Sequence, residues 1–200
     1  MFGSQRTVAW RILDAQYFGL AQRRRRVFVV ASAREGFNPT EVLFEWEGLR
    51  RDTPPSRTQT QNPSGISGRN LDDTGWERDD ENIINNECYC LQGNMIGRSL
   101  NAGPQGSGIS DNLCFTLTTG DRHAVAIDKG GKKFAYYLTP VECERLQGFP
   151  DNHTLVPYRN KPKEQCPDGP RYAACGNTMA VPVMRWLGMR IKMALESQTV

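Results

Sequence analysis

The sequence predicts an α/β protein. Three observations carry that expectation: two apolar, β-branched runs near the N-terminus, a middle section of short alternating runs broken by glycine and asparagine, and helical signals confined to the last third. A chain of 200 residues makes one domain or two small ones.

The runs Val8-Ala9-Trp10-Arg11-Ile12-Leu13 and Val27-Phe28-Val29-Val30-Ala31-Ser32 read as strands. The second is almost continuously apolar, which suits a strand buried on both faces of a helix-flanked sheet. Two strands do not fold alone, so the pair is expected to belong to a larger sheet. From Arg50 to Asn82 the chain turns polar, and Ile66, Leu71 and Trp76 are its only large apolar residues. They are too few to offset the ordering entropy, so the stretch reads as a linker or irregular loop. Between Cys88 and Asp128, Phe115-Thr116-Leu117-Thr118 and Ala124-Val125-Ala126-Ile127 alternate as short strands do, and glycines supply the turns of a small, loop-rich β region.

Helices come last. Thr139-Pro140-Val141-Glu142 has the form of a capping box with proline at the first helical position, and Gly148 marks the stop. A final helix is expected to begin near Asn177 or Thr178, either of which can cap it, with Pro182 tolerated in the opening turn. Val181, Met184, Leu187, Ile191 and Leu195 would form its apolar face.

Composition narrows the function classes. The formal net charge is +3, yet the basic residues are 19 arginines and only 6 lysines. Arginine grips phosphate or carboxylate with a planar fork, so the bias fits polyanion binding; a GC-rich genome would produce the same bias. No window is apolar enough for a membrane span and no leader pattern opens the chain, so a soluble, cytoplasmic protein without a membrane partner is expected. Six cysteines without a Cys-x-x-Cys pair are expected to stay reduced. Cys88, Cys90, Cys114 and His123 could gather round a metal in principle, but no metal site is expected.

The densest chemical feature is Gln22-Arg23-Arg24-Arg25-Arg26, placed directly before a strand. Along an extended chain Gln22, Arg24 and Arg26 share one face, and Arg23 and Arg25 share the other. One set can then meet a ligand while the other stays solvated. A localisation signal or non-specific polyanion patch is the competing account, though such tails are usually flexible and not fused to a buried strand.

This block, from Leu13-Asp14-Ala15-Gln16-Tyr17-Phe18-Gly19 through Gln22-Arg23-Arg24-Arg25-Arg26, resembles the Gln-Arg-Arg-x-Arg block of DNA cytosine-5 methyltransferases. Thr139-Pro140-Val141-Glu142-Cys143-Glu144-Arg145-Leu146-Gln147-Gly148-Phe149-Pro150 is similar to that family's penultimate motif, and Cys175-Gly176-Asn177-Thr178-Met179-Ala180-Val181-Pro182 to its last. The three blocks stand in the family's order and span most of the chain.

The resemblance implies the C-terminal part of a class I, Rossmann-like methyltransferase sheet with a small target-recognition domain inserted. Residues 1–49 would hold the last strands of the catalytic domain, 50–87 a linker, 88–170 the recognition region and 171–200 the helix returning to the catalytic domain. The implied reaction moves a methyl group from S-adenosylmethionine to C5 of a cytosine swung out of duplex DNA, because a stacked base hides its ring face. Carried over residue by residue, Arg24 and Arg26 would contact the flipped cytosine or its flanking phosphates, with Gln22 supporting their loop. Asn177 and Thr178 would line the S-adenosylmethionine pocket from a helix start, with simple capping as the rival account. Arg98, Arg122 and His123 are candidates for base contacts from the recognition loops.

Three features of the family are missing. No Pro-Cys dipeptide, where the family keeps its nucleophile, occurs in the chain, and Cys166-Pro167 has the reverse order. The glycine-rich cofactor turn is also absent, and Glu81-Asn82-Ile83 lies on the wrong side of the arginine block to be the family's Glu-Asn-Val. The chain is therefore expected to hold a partial cofactor site and no catalytic residue, to be inactive alone, and to need an N-terminal half supplied in trans beside its double-stranded DNA partner. A non-catalytic DNA-binding module is the alternative.

Overall fold

A computed structural model describes residues 6–44, 87–96, 108–129 and 132–197. Most of the expected linker, together with Glu81, Asn82, Ile83 and Arg98, lies outside the described residues.

Strands β1 (Thr7–Asp14) and β2 (Arg25–Ser32) pair antiparallel, from Thr7 opposite Ser32 to Asp14 opposite Arg25. A 3-10 turn over Ala15–Phe18 connects them; Asp14 caps it and Gly19 ends it at φ 84°, a left-handed conformation that glycine adopts without steric cost. The short helix α1 (Pro39–Leu43) is started by the Asn38 side chain and Pro39. A second sheet runs in the order β4 (Ile109–Asp111), β3 (Glu87–Leu91), β5 (Ala124–Lys129), β6 (Lys132–Tyr137), with every pair antiparallel. Helices α2 (Pro140–Gln147), α3 (Asp168–Asn177) and α4 (Val181–Glu196) complete the chain.

The α/β class is as expected, and the capping box is present in full. Thr139 Oγ1 accepts from the Glu142 N–H, while Glu142 Oε2 accepts from the Thr139 N–H at 2.7 Å. At the other end Gly148 N–H donates to Arg145 and Phe149 N–H to Glu144, the paired bonds that let a left-handed glycine close a helix. A Cβ at Gly148 would lie 2.8 Å from Pro182 Cδ, so this glycine also seats the start of α4 against the end of α2.

Two apolar clusters organise the packing. Ala9 and Leu13 of the hairpin meet Val42 and Leu43 of α1 and Val183 and Leu187 of α4. Cys88, Cys90 and Val125 of the second sheet meet Leu146 of α2 and Cys175 of α3. The arginine row runs between them: Cys114 N–H donates to Ala21, Arg23 N–H donates to Cys114, and Gln22 bridges Cys114 in parallel.

Four expectations need correction. Strand β2 is not buried on both faces: Phe28 and Val30 turn to α4 and its neighbours, while Val27 and Val29 are exposed. Trp10 stands opposite Val29 and Ile12 opposite Val27, and with Val8 on the same face they form a bare apolar surface whose members are each between 47% and 64% exposed. The cause is that helices cover only one side of this hairpin among the described residues. Residues 115–118 form no strand, because side chains take their backbone groups: Arg24 binds the Leu117 carbonyl and His123 the Thr116 carbonyl. The last helix begins at Val181, not near Asn177, which instead ends α3; the expected boundary at residue 170 thus falls inside α3. On α4 the inward residue is Val183, and Met184 is exposed.

Replacing Thr139 by Ala removes the capping box without opening a core cavity. It is expected to lower stability by about 1 kcal/mol, read as a reduced denaturant midpoint at unchanged slope. An unchanged midpoint would show that the box adds nothing.

Candidate functional site

Arg24 is the centre of the site. The residue is 4% exposed, and its guanidinium donates to three backbone carbonyls: Leu117 at 3.0 Å, Gly176 at 2.9 Å and Thr178 at 2.5 Å. Two of these belong to the end of α3, where a helix has carbonyls with no intrahelical partner and a partial negative charge. Arg24 therefore acts as a C-terminal cap supplied from another part of the chain. Burial and the neighbouring Arg26 pull its pKa down to about 10, still far above neutral, so the group remains charged.

Other buried polar groups lock the same junction. Gln147 Nε2 donates to the Cys175 carbonyl at 2.9 Å, and Gln22, fully buried, points its amide at the Leu146 carbonyl at 3.4 Å. Gly176 leaves no room for a side chain, since a Cβ there would lie 2.5 Å from Thr118 backbone atoms. The Asp14 carboxylate accepts the Arg24 N–H at 3.0 Å and fixes the row's entry. Behind the junction, Glu144 on α2 and Arg171 on α3 form a buried ion pair at 3.0 Å, with Thr154 also bound to Glu144. Burial opposes the Glu144 charge, but the hydrogen bonds from Thr154 and Arg171 outweigh it and hold the carboxyl below its ordinary value.

The expected site residues separate accordingly. Gln22, Arg24 and Thr178 converge, but Arg24 is spent on the protein's own carbonyls and does not face outward as expected. Alternation buries Gln22 and Arg24 and leaves Arg23 and Arg25 exposed, while Arg26 is also exposed and donates only to the Arg25 carbonyl among the described residues. His123 is not an exposed loop residue: it is 2% exposed, and its ring accepts from the Gly93 N–H at Nδ1 and donates from Nε2 to the Thr116 carbonyl. Its polar groups are thus committed inside the fold, and it offers nothing to a base edge. Arg122 is exposed and lies over the Tyr137 ring at 5.1 Å.

For the cofactor residues, Thr178 donates its hydroxyl to the Cys175 carbonyl and its N–H to Ala174, so it closes α3 and does not open a helix. Asn177 is exposed at the end of α3, and its side chain makes no hydrogen bond to another described residue. Of the pair, Asn177 fits a polar ligand and Thr178 fits a positioning role. Among the described residues no group of three His, Cys, Asp or Glu could hold a metal ion, and no helix is long and apolar enough to cross a membrane. Sequence reading missed the Glu144–Arg171 pair and the Gly176 contact. The glycine directly before Asn177 was the one available signal for the latter.

A junction uniting the arginine row, the end of α2 and the end of α3 thus joins three sequence blocks that lie far apart in the chain. The chain belongs to the C-5 cytosine-specific DNA methylase family, whose model it matches over residues 6–193. It is 36% identical over 281 aligned positions to a protein of Escherichia phage P1 named DNA N-6-adenine-methyltransferase, covering 98% of this chain and 37% of that protein. It is 28% identical over 185 positions to a Type II methyltransferase of Bacillus subtilis, covering 91% and 39%. To a Type II methyltransferase of Methanothermobacter thermautotrophicus it is 28% identical over 213 positions, covering 94% and 57%. The chain therefore spans between 37% and 57% of the length of these relatives.

Two outcomes test this geometry. Arg24→Ala strands three carbonyls and is expected to destabilise the fold by on the order of 3 kcal/mol, with Arg24→Lys rescuing only part; Arg26→Ala should leave the melting temperature unchanged. Equal melting of all three variants would mean that Arg24 is not the tie described. The Glu144 contribution is fully present above the ordinary carboxylate value of about 4.3 and is lost as pH falls through the lower folded-state value. Glu144→Gln should flatten the acid side of a stability–pH curve; an unaltered acid limb would contradict it.

Proposed function

We propose that this chain is the C-terminal portion of a DNA cytosine-5 methyltransferase, acting on a cytosine swung out of duplex DNA. The observation that carries the reading is the Arg24 tie, which joins the arginine row to the Gly176–Asn177–Thr178 turn and leaves Arg26 and Asn177 exposed at its margin. In this reading Arg26 contacts the cytosine or a flanking phosphate, and Arg24 and Gln22 position it. Asn177 lines one side of the S-adenosylmethionine pocket, and Thr178 holds the turn. That cofactor, when bound, supplies an electrophilic methyl group. The stretch from residue 88 to the start of α3 forms the recognition region, with Arg122 at its surface and Arg98 as a further DNA contact.

The remainder of the enzyme is supplied by another stretch of polypeptide. The chain has no Pro-Cys dipeptide, and burial, with Cys175 and two glutamates nearby, pushes the Cys143 thiol far above the ordinary range, so it is no thiolate nucleophile at neutral pH. Val8, Trp10, Ile12, Val27 and Val29 form a contiguous exposed apolar face, the kind of patch that marks an interaction site, and a two-stranded sheet needs further strands or helices. An N-terminal methyltransferase half, continuing the sheet into a class I fold, meets both needs.

Methylation of adenine N6 is the second reading, and it rests on the name of the phage P1 relative, of which only 37% is matched. The family match over residues 6–193 favours cytosine. Mixing the chain with the N-terminal half of a Type II relative that carries Pro-Cys, then analysing the nucleosides of the treated DNA, separates the two. The expected product is 5-methylcytosine in the mixture and none from the chain alone. N6-methyladenine in the mixture, or methyl transfer by the unaided chain, would contradict the proposal.

A further inference from the structure

An open cleft of about 750 Å³ lies at the connected end of the β1–β2 hairpin, and the outward arginines Arg23 and Arg25 border it together with Tyr17. We propose that Arg23 and Arg25 form a clamp for two neighbouring phosphates of one DNA strand. This inference rests on the DNA-methyltransferase reading and adds to it the place where the strand's backbone lies.

Spacing gives the first argument. Two residues apart on extended backbone, the side chains leave the same side of the chain about 6.8 Å apart, which is close to the step between neighbouring phosphates along a nucleic-acid strand. Rigidity gives the second. Arg23 is fixed on both sides of its Cα, with its N–H donating to the Cys114 carbonyl at 2.8 Å and its carbonyl accepting from Thr116 Oγ1 at 2.6 Å. Arg25 is held in register opposite Asp14. Arg24, between them, is anchored inward on three carbonyls, so the outward direction of its neighbours is set by the fold.

Electrostatics gives the third. Arg145 is paired with Asp151 and Arg171 with Glu144, but neither Arg23 nor Arg25 has a carboxylate partner among the described residues. The one carboxylate bordering the cleft, Asp14, is buried and already accepts the N–H groups of Gln16 and Arg24 and the Gln16 side-chain amide at 2.7 Å. Two exposed guanidiniums on a fixed backbone, with the nearest acid occupied, present an anion site for a ligand carrying repeated negative charge. Tyr17, half-exposed beside them, offers an apolar wall for the sugar between the phosphates.

The test is the salt dependence of binding to a short DNA duplex by fluorescence anisotropy, using the full chain. Each phosphate contact contributes about 0.9 to the slope of log affinity against log salt, so Arg23→Ala/Arg25→Ala is expected to lower the slope by about 1.8 between roughly 50 and 200 mM salt. Arg23→Lys/Arg25→Lys should keep most of it, since a point charge still neutralises a phosphate. Thermal melting checks that the double variant is folded; should it melt early, Arg23→Gln/Arg25→Gln retains longer stems and carries the same expectation. A wild-type slope in the folded charge-free variant overturns the clamp while leaving the DNA reading intact. Absence of duplex binding by the wild-type chain at low salt overturns both.

Discussion

One buried guanidinium organises this chain. Arg24 sits where the row Gln22–Arg26, the 114–118 segment and the end of α3 meet, and its three hydrogen bonds all go to backbone carbonyls that would otherwise be unpaired. Among the described residues no carboxylate neutralises it. The charge is tolerated because carbonyl dipoles, two of them at a helix C-terminus, replace the water it gives up. Sequence blocks more than 150 positions apart are thereby held in one register. The same bonds decide which side chains of the row face solvent, so the outward groups derive their direction from an inward one.

The two apolar clusters show a different constraint. The cluster under the hairpin is closed on one side by α1 and α4, and the opposite face of the same two strands carries valines, an isoleucine and a tryptophan with nothing over them among the described residues. Nearly continuous apolar strands of this kind are what a sheet covered on both faces requires. The sequence of β2 is thus consistent with a larger assembly, even though its burial here is one-sided. A family membership spread over nearly the whole chain, alongside relatives about twice as long or more, fits that picture.

What could be read in advance follows from how local each signal is. The α2 start and stop were legible because Thr139, Pro140, Glu142 and Gly148 act within one or two turns of themselves. Both strands of the hairpin were legible from β-branched runs. Asn177 and Thr178 misled because a polar pair before an apolar run has the same composition whether it ends one helix or starts the next; only the Thr178 bonds to Ala174 and Cys175 decide. Phe115–Thr118 alternates like a strand, yet its carbonyls are claimed by Arg24 and His123, side chains whose approach no local pattern encodes. For the arginine row, alternation separates Gln22 and Arg24 from Arg23 and Arg25, but it fails at Arg26, which is exposed, and it could not say which face was inside, since that depends on where α3 ends.

Three hydrogen bonds from one guanidinium should make the arginine row, the 114–118 segment and the end of α3 open as one cooperative unit. Hydrogen–deuterium exchange on wild-type and Arg24→Lys chains measures this most directly, because protection reports local opening segment by segment. In the Arg24→Lys chain, protection is expected to fall together in residues 114–118 and 174–178 while the β1–β2 ladder keeps its own. Loss confined to residues 22–26, with the end of α3 as protected as before, would contradict it.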